Sequence, residues 1–169
     1  MAKYTDPEAS VHSAKVEALL SLVQGAFALG EKTLVFSKFV LVLDFLAAKL
    51  DEHNIVYRAL TGRLNAEKRD EAIRSFNSDP SIALFLISTT AGSTGINLTA
   101  ASRVIIFDNG WNPVHEEQAI GRAYRMGQTR PVHVYRFIAE DTVEEGLFKA
   151  QVQKQLLARQ ALDAENLKS

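Results

Sequence analysis

Two stretches constrain this chain more than any others: IALFLIS at 82–88 and RVIIFD at 103–108. Each is a short, nearly continuous apolar run, the pattern of a strand buried on both faces. A sheet covered on both faces needs helices between its strands. Helical spacing recurs where those helices are required. Residues 11–29 set Val16, Leu19, Leu20, Val23 and Phe27 at helical positions, with Ser10 a candidate N-cap and Gly30 at the end. A strand TLVF (33–36), a helix at 39–53, a strand IVYRAL (55–60) and a helix at 65–77 follow. Asn65 opens the last of these, and Ile73 and Phe76 point inward. After the loop at 89–97 and the strand at 103–108, the pattern predicts a helix at 113–125 and a strand VHVYRFI at 132–138. A last helix at 142–160 carries a capping box in Thr142 and Glu145. This alternation predicts an α/β fold, a parallel sheet with helices on both faces. Function is then expected in the loops at the carboxyl ends of the strands, starting near Ser37, Leu60, Ser88, Asp108 and Ile138.

Size and charge narrow the function classes. The 169 residues, 47% hydrophobic, supply one core and not two. No cysteine is present, which excludes disulfide scaffolds, thiolate metal sites and cysteine nucleophiles. With 19 basic and 20 acidic residues the net charge is -1, so a uniformly basic coat is absent. Basic residues do exceed acidic ones locally, five to three over 58–74 and four to two over 115–136, whereas the chain from 139 on is acidic. No apolar run reaches the ~18 residues a membrane span needs, and MAKYTDPEAS has no apolar signal region. Residues 1–10 are expected to be a flexible lead-in, 11–160 the domain and 161–169 a tail, in a soluble intracellular domain or a piece of a longer protein.

Two segments imitate nucleotide-site motifs. GAFALGEKT (25–33) nearly spells a phosphate-cradling loop, but Glu31 intrudes before Lys32, and the segment ends a helix instead of following a strand. It reads as a helix C-terminus. DEHN (51–54) imitates an acidic metal-binding box but also ends a helix. The chain therefore has no credible phosphate loop and no Mg²⁺ carboxylate pair.

Four other segments can carry chemistry. In QAIGRAYRMGQ (118–128), Gln118, Arg122 and Arg125 would share one face of a helix, and Gly121 would admit another surface. Paired guanidiniums suit a polyanion, but Glu116 and Glu117 could equally neutralise them in a salt-bridged surface helix. STTAGSTGINL (88–98) is dense in small polar residues whose backbone N–H groups and hydroxyls can hold a phosphate, or is an ordinary glycine-rich loop. Trp111, in FDNGWNP, is either a contact residue or a lid on the core. Ser37 and Lys38, at a strand end, either meet a phosphate or cap the next helix, with Ser37 as N-cap.

Taken in this order the segments resemble the C-terminal RecA-like lobe of superfamily 2 helicase-type motors, and most closely the SWI/SNF family of ATP-dependent DNA translocases and chromatin remodelers. TLVFSKF looks like motif IV, and LTGRLNAEKRDEAIRSFN (60–77) like the block after it. STTAGSTGINLTAA looks like motif V, IIFDNGWNP is similar to the Asp–Trp–Asn–Pro block, and QAIGRAYRMGQ looks like motif VI. The resemblance covers residues 13–160. AGS at 91–93, RPVHVYRFIAEDTVEE and QVQKQ look similar to the ATRX-like branch. Ser93 stands where glycine is commonest, Thr94 where leucine is common, and Thr90 where a basic residue is frequent.

The resemblance implies a RecA-like sheet that lacks its own phosphate loop. It implies that Arg122 and Arg125 are arginine fingers toward ATP on a separate N-terminal lobe, which also holds most of the Mg²⁺ coordination. Gly95 and Asn97 map to the part of motif V that closes on the nucleotide, and Gln118 to a residue coupling the two sites. Ser37, Lys38, Thr89, Ala91 and Gly92 map to positions at the phosphate backbone of double-stranded DNA, and Trp111 to one supporting the interlobe cleft. It also implies nucleosomal DNA as a partner, a nuclear location and no ATPase activity for this lobe alone. An RNA helicase lobe fits FDNGWNP and RAYRMGQ less well. The rival readings are a catalytically inactive pseudo-motor lobe that binds DNA or protein, and a phosphate-binding domain unrelated to motors.

Overall fold

Strand β1 (Lys32–Ser37) lies at the centre of a five-stranded sheet ordered β2-β3-β1-β4-β5. Its companions are β2 (Tyr57–Leu60), β3 (Leu84–Ser88), β4 (Ala101–Ile106) and β5 (His133–Arg136), and all four pairings are parallel. The computed structural model describes residues 13–92, 95–108 and 113–166. Burial follows the order of the strands. All of β3, and β1 from Thr33 on, is buried, whereas the edge strands β2 and β5 are mostly half-exposed.

Two helical layers cover the sheet. On one face α1 (Ala14–Ala28) and α2 (Val40–Glu52) bring Val16, Leu19, Leu43, Leu46 and Leu50 against Val35, Leu84, Leu86 and Ile105. On the other, α3 (Ala66–Ser78), the four-residue α4 (Thr89–Gly92) and α5 (Pro113–Ile120) bring Phe76, Ala91 and Ala119 against Phe36, Phe85, Ile87 and Val104. Phe76 stacks on Phe85 with ring centroids 5.1 Å apart, a pair that adds ~1 kcal/mol beyond the area it buries. The last helix, α6 (Val143–Asn166), is tied at its start to α1 by the Lys15–Glu144 ion pair. Further along it meets α5, where Gln151 donates to Glu116 at 3.0 Å.

Helix ends explain both nucleotide-motif imitations. At the end of α1, Gly30 takes φ +68°, its N–H reaches Phe27 O and the Glu31 N–H reaches Ala26 O. This is a Schellman closure. Lys32 is spent inside the fold, its ammonium donating to Phe76 O and Asp79 O at the end of α3, and Glu31 pairs with Arg103. Asn54 closes α2 in the same way at φ 53°, with the Ile55 N–H on Leu50 O. That closure takes Ile55 out of the expected strand 55–60, which starts only at Tyr57.

Other expectations shift for equally local reasons. Asn65 caps α3 as expected, accepting the Lys68 N–H at 2.9 Å, worth ~1 kcal/mol. Ser13 holds the N-cap position of α1, and Ser10 lies outside the described residues. Ser37 is not the N-cap of α2; Phe39 is. The start of the expected loop 89–97 folds as α4. Thr142 does cap α6, accepting the Glu144 N–H at 3.2 Å; the Glu145 carboxylate reaches back to the Asp141 backbone, and Glu144 accepts the Ala139 N–H at 2.9 Å. The expected helix 113–125 stops at Ile120, which changes the geometry of both candidate arginines.

Candidate functional site

Parallel strands share a direction, so Ser37, Ser88 and the ends of β4 and β5 lie along one edge of the sheet, called the upper edge here. At that edge Asp108 clamps the turn after β1. Its Oδ1 accepts from the Ser37 hydroxyl at 2.6 Å and its Oδ2 from the Lys38 N–H at 2.8 Å. The Ser37 hydroxyl in turn accepts the Phe39 N–H at 3.0 Å. Hydrogen bonds to a carboxylate are worth roughly twice neutral ones. The clamp leaves the Lys38 side chain exposed, its ammonium 4.7 Å from the centre of the Phe39 ring.

The chain next reaches this edge at the end of β3. It must then return to the lower edge to begin β4 through the crossover 89–100, described at 89–92 and 95–100. It starts as α4, with the buried Ser88 hydroxyl accepting the Ala91 N–H at 3.3 Å. Thr89 is half-exposed, while Ala91 and Gly92 are buried. Gly92 is there for space. A Cβ would stand 3.0 Å from Ile87 Cγ2 and 3.2 Å from Phe36 Cε1. Ala91 and Gly92 therefore offer backbone alone to any ligand, and the Ala91 carbonyl already accepts from Arg69 Nη2 at 3.0 Å. Gly95 and Asn97, lower on the crossover, are exposed, and the Asn97 carbonyl accepts from Asn77 at 3.0 Å.

The arginines stand beside this lower part. After Ile120 the backbone bonds tighten from i−4 to i−3 at Arg122 and Ala123, so both arginines sit on a turn and not on the helix. Gly121 marks that change. A Cβ on it would meet only the carbonyls of Glu117 and Gln118 in its own turn, so it makes no room for another surface of this chain. The turn is stitched to the crossover. The Leu98 N–H donates to Arg122 O at 3.1 Å, and Arg125 Nη1 lies 3.5 Å from Gly95 O and 3.4 Å from Ile96 O. Gln128 locks the base of the turn, donating to Ala101 O at 2.7 Å and accepting the Arg130 N–H at 2.9 Å.

One of the two glutamates that could neutralise these arginines is committed elsewhere. Glu116 is buried and engaged elsewhere, with Arg136 at 2.9 Å and Gln151 at 3.0 Å. Burial first, and then the neighbouring Arg125 charge, lower the Arg122 guanidinium below its ordinary value. A guanidinium stays charged regardless, so the turn holds two like charges together. An incoming anion relieves that repulsion. Among the described residues no three His, Asp or Glu side chains converge to hold a metal. The arginine turn fits the phosphates of a nucleotide, and the donor set for a hard cation such as Mg²⁺ is missing from it.

A family model for the helicase conserved C-terminal domain matches residues 14–127. This chain is a helicase C-terminal domain of the SNF2 family. It is 39% identical to mouse transcriptional regulator ATRX over 96% of its length, 42% to helicase SWR1 of Yarrowia lipolytica over 85%, and 40% to DNA repair protein RAD5A of Arabidopsis thaliana over 94%. It spans only 8%, 8% and 16% of those proteins. The C-terminal part of the Fun30 ATPase domain superposes with a TM-score of 0.79 at 38% identity, covering 82% of this chain and 45% of that one. The similarity is of the same order to ATRX, SWR1 and RAD5A, so it extends beyond the ATRX-like branch.

Within this SNF2-family lobe the sequence-derived residues form two groups joined by one segment. Ser37, Lys38, Thr89, Ala91 and Gly92 lie at the upper edge, and Gly95, Asn97, Arg122 and Arg125 lie lower, beside the turn. Gln118 is exposed on α5, and Trp111 falls outside the described residues. Sequence reasoning missed the clamping role of Asp108 and the tethers from Arg69, Asn77 and Gln128. Asp108 sits inside the Asp–Trp–Asn–Pro block, which was the available signal; the other three carry no local one.

Proposed function

We propose that this lobe is the second half of a double-stranded DNA translocase. Arg122 and Arg125 reach across to the γ-phosphate of ATP held, with Mg²⁺, on an N-terminal RecA-like lobe. Gly95 and Asn97 close on the nucleotide beside them, Gln118 couples the two sites, and Trp111 supports the interlobe cleft. Two arginines on one turn, stitched to Leu98 by the Arg122 carbonyl and set beside the Gly95 and Ile96 carbonyls through Arg125, are the observation that carries this reading. Such fingers act on charge that grows in the transition state, and each is worth ~10³–10⁵ in turnover.

At the upper edge, Lys38 and Thr89 meet the phosphates of one DNA strand, with Ser37 holding the turn in shape and Ala91 and Gly92 letting the strand approach the start of α4. Phosphate contacts carry no sequence information, which suits a motor that must ignore sequence. ATP binding closes the two lobes, hydrolysis opens them, and alternating grip advances the protein along DNA. The working place is the nucleus and the track is chromatin, nucleosomal DNA included. No helix among the described residues is long and apolar enough to cross a membrane.

The lobe alone is expected to be inactive, because its two nucleotide-motif imitations are helix ends. The test measures ATP hydrolysis with and without duplex DNA, for this chain alone and joined to its N-terminal lobe. DNA-stimulated turnover only in the joined protein supports the proposal. Robust hydrolysis by this chain alone sinks it, and DNA binding without hydrolysis in the joined protein turns the reading to the pseudo-motor.

A further inference from the structure

Helix α3 runs beside the crossover and touches it at both ends. Arg69 Nη2 donates to the Ala91 carbonyl just below the upper edge, and Asn77 Nδ2 donates to the Asn97 carbonyl near the lower one, each at 3.0 Å. The two residues are eight apart, about 12 Å of helix at 1.5 Å per residue. Ile73 lies midway in the same i, i+4, i+8 row and packs on the core. Asn65 fixes the start of α3, and Lys32 ties down its end. A strut held at both ends thus grips the two ends of the segment that carries both groups of candidate site residues.

The opposite side of the segment is gripped as well. Leu98 and the carbonyls of Gly95 and Ile96 are held by the arginine turn. The described parts of the crossover therefore lie between α3 and the arginine turn, with Ala91 tethered to Arg69, Asn97 to Asn77, and 95–98 to the turn. We infer that Arg69 and Asn77 are positioning residues that transmit the DNA-bound state of the upper edge to the arginine turn. Neither touches nucleotide or DNA in this role. Their contacts are to backbone carbonyls, which any side chain on the crossover would leave available. This rests on the function proposed above.

The test uses Arg69→Ala, Arg69→Lys and Asn77→Asp in the protein joined to its N-terminal lobe. Asn77→Asp is isosteric and replaces the donor with an acceptor facing a carbonyl oxygen. ATP turnover is measured without DNA and across a duplex DNA titration. The expected result is a fall in DNA stimulation of about fivefold or more, with the DNA-free rate changed less than the stimulated rate and Arg69→Lys recovering part of the loss. A proportional fall in both rates overturns the inference, because that is what a merely structural role gives. Wild-type stimulation in all three variants overturns it too. If Arg69→Ala fails to fold, Arg69→Lys and Asn77→Asp decide by the same ratio. A wild-type joined protein that DNA does not stimulate defeats the function itself, a separate outcome.

Discussion

At the upper edge of the sheet the Asp108 carboxylate is satisfied inside the chain, by one hydroxyl and one backbone N–H drawn from the turn it clamps. Beside the lower crossover like charges are crowded, because Arg122 and Arg125 share one turn while Glu116 serves Arg136 and Gln151. The first arrangement is finished before any ligand arrives. The second sets two like charges side by side. The proposed roles differ in the same way: a rigid grip would need the one, and a group acting only when a partner closes the other.

The largest way to break this contrast is Arg122→Ala in the joined protein, expected to lower DNA-stimulated ATP turnover by ~10³-fold or more. A loss under tenfold would remove the finger role. Next comes the upper clamp. Asp108→Asn keeps the shape but loses the charge and puts an NH₂ against one donor, at a cost of ~1.5–3 kcal/mol in urea unfolding, together with weaker DNA binding. Unfolding unchanged to within error would mean that the turn after β1 is held by something else.

Gly92→Ala sharpens the comparison from the packing side. Its new methyl meets Ile87 and Phe36 inside ordinary contact, and overpacking of this kind costs ~1–3 kcal/mol. Gly95→Ala, where nothing lies within 4 Å, is expected to leave the unfolding midpoint nearly in place. Equal losses at the two glycines would erase the distinction between the tight and the open parts of the crossover.

The smallest effect is a pH limb. Burial alone pushes the Glu144 carboxyl up, but the Lys15 ammonium, the Ala139 N–H and the Lys38 charge outweigh it and hold the group below its ordinary 4.5. A depressed carboxyl adds stability that is fully present above 4.5 and is lost as pH falls through the lower folded value. Glu144→Gln should therefore flatten the acid side of the unfolding profile and leave the slope above pH 6 as it was. An unaltered acid limb would show the Lys15 pairing to be idle.

What was legible in the sequence is what neighbours along the chain decide. Apolar runs marked β3 and β4, and Asn65 and Gly30 marked helix ends, because caps and turns are built from residues a few positions apart. The Asp108 clamp closes over 71 residues, the Arg69 tether over 22 and the Gln128 lock on Ala101 over 27. No spacing rule reaches that far. Gly121 shows a subtler failure. The helical period ran through it and placed both arginines on one face, but a glycine removes the side-chain support of the next turn, and the helix yields there. The helical frame expected to hold the two arginines gives way to a turn.

One feature of the sheet bears on mechanical load. β1 carries Ser37 and Lys38 at its tip and is laddered to β3 on one side and β4 on the other, all parallel. A pull applied at that tip along the strand axis stresses both ladders in shear, so their bonds must yield together instead of unzipping one at a time. An edge strand such as β2 would peel. In the proposed DNA grip, traction on the track would be borne by the stiffest direction the sheet possesses.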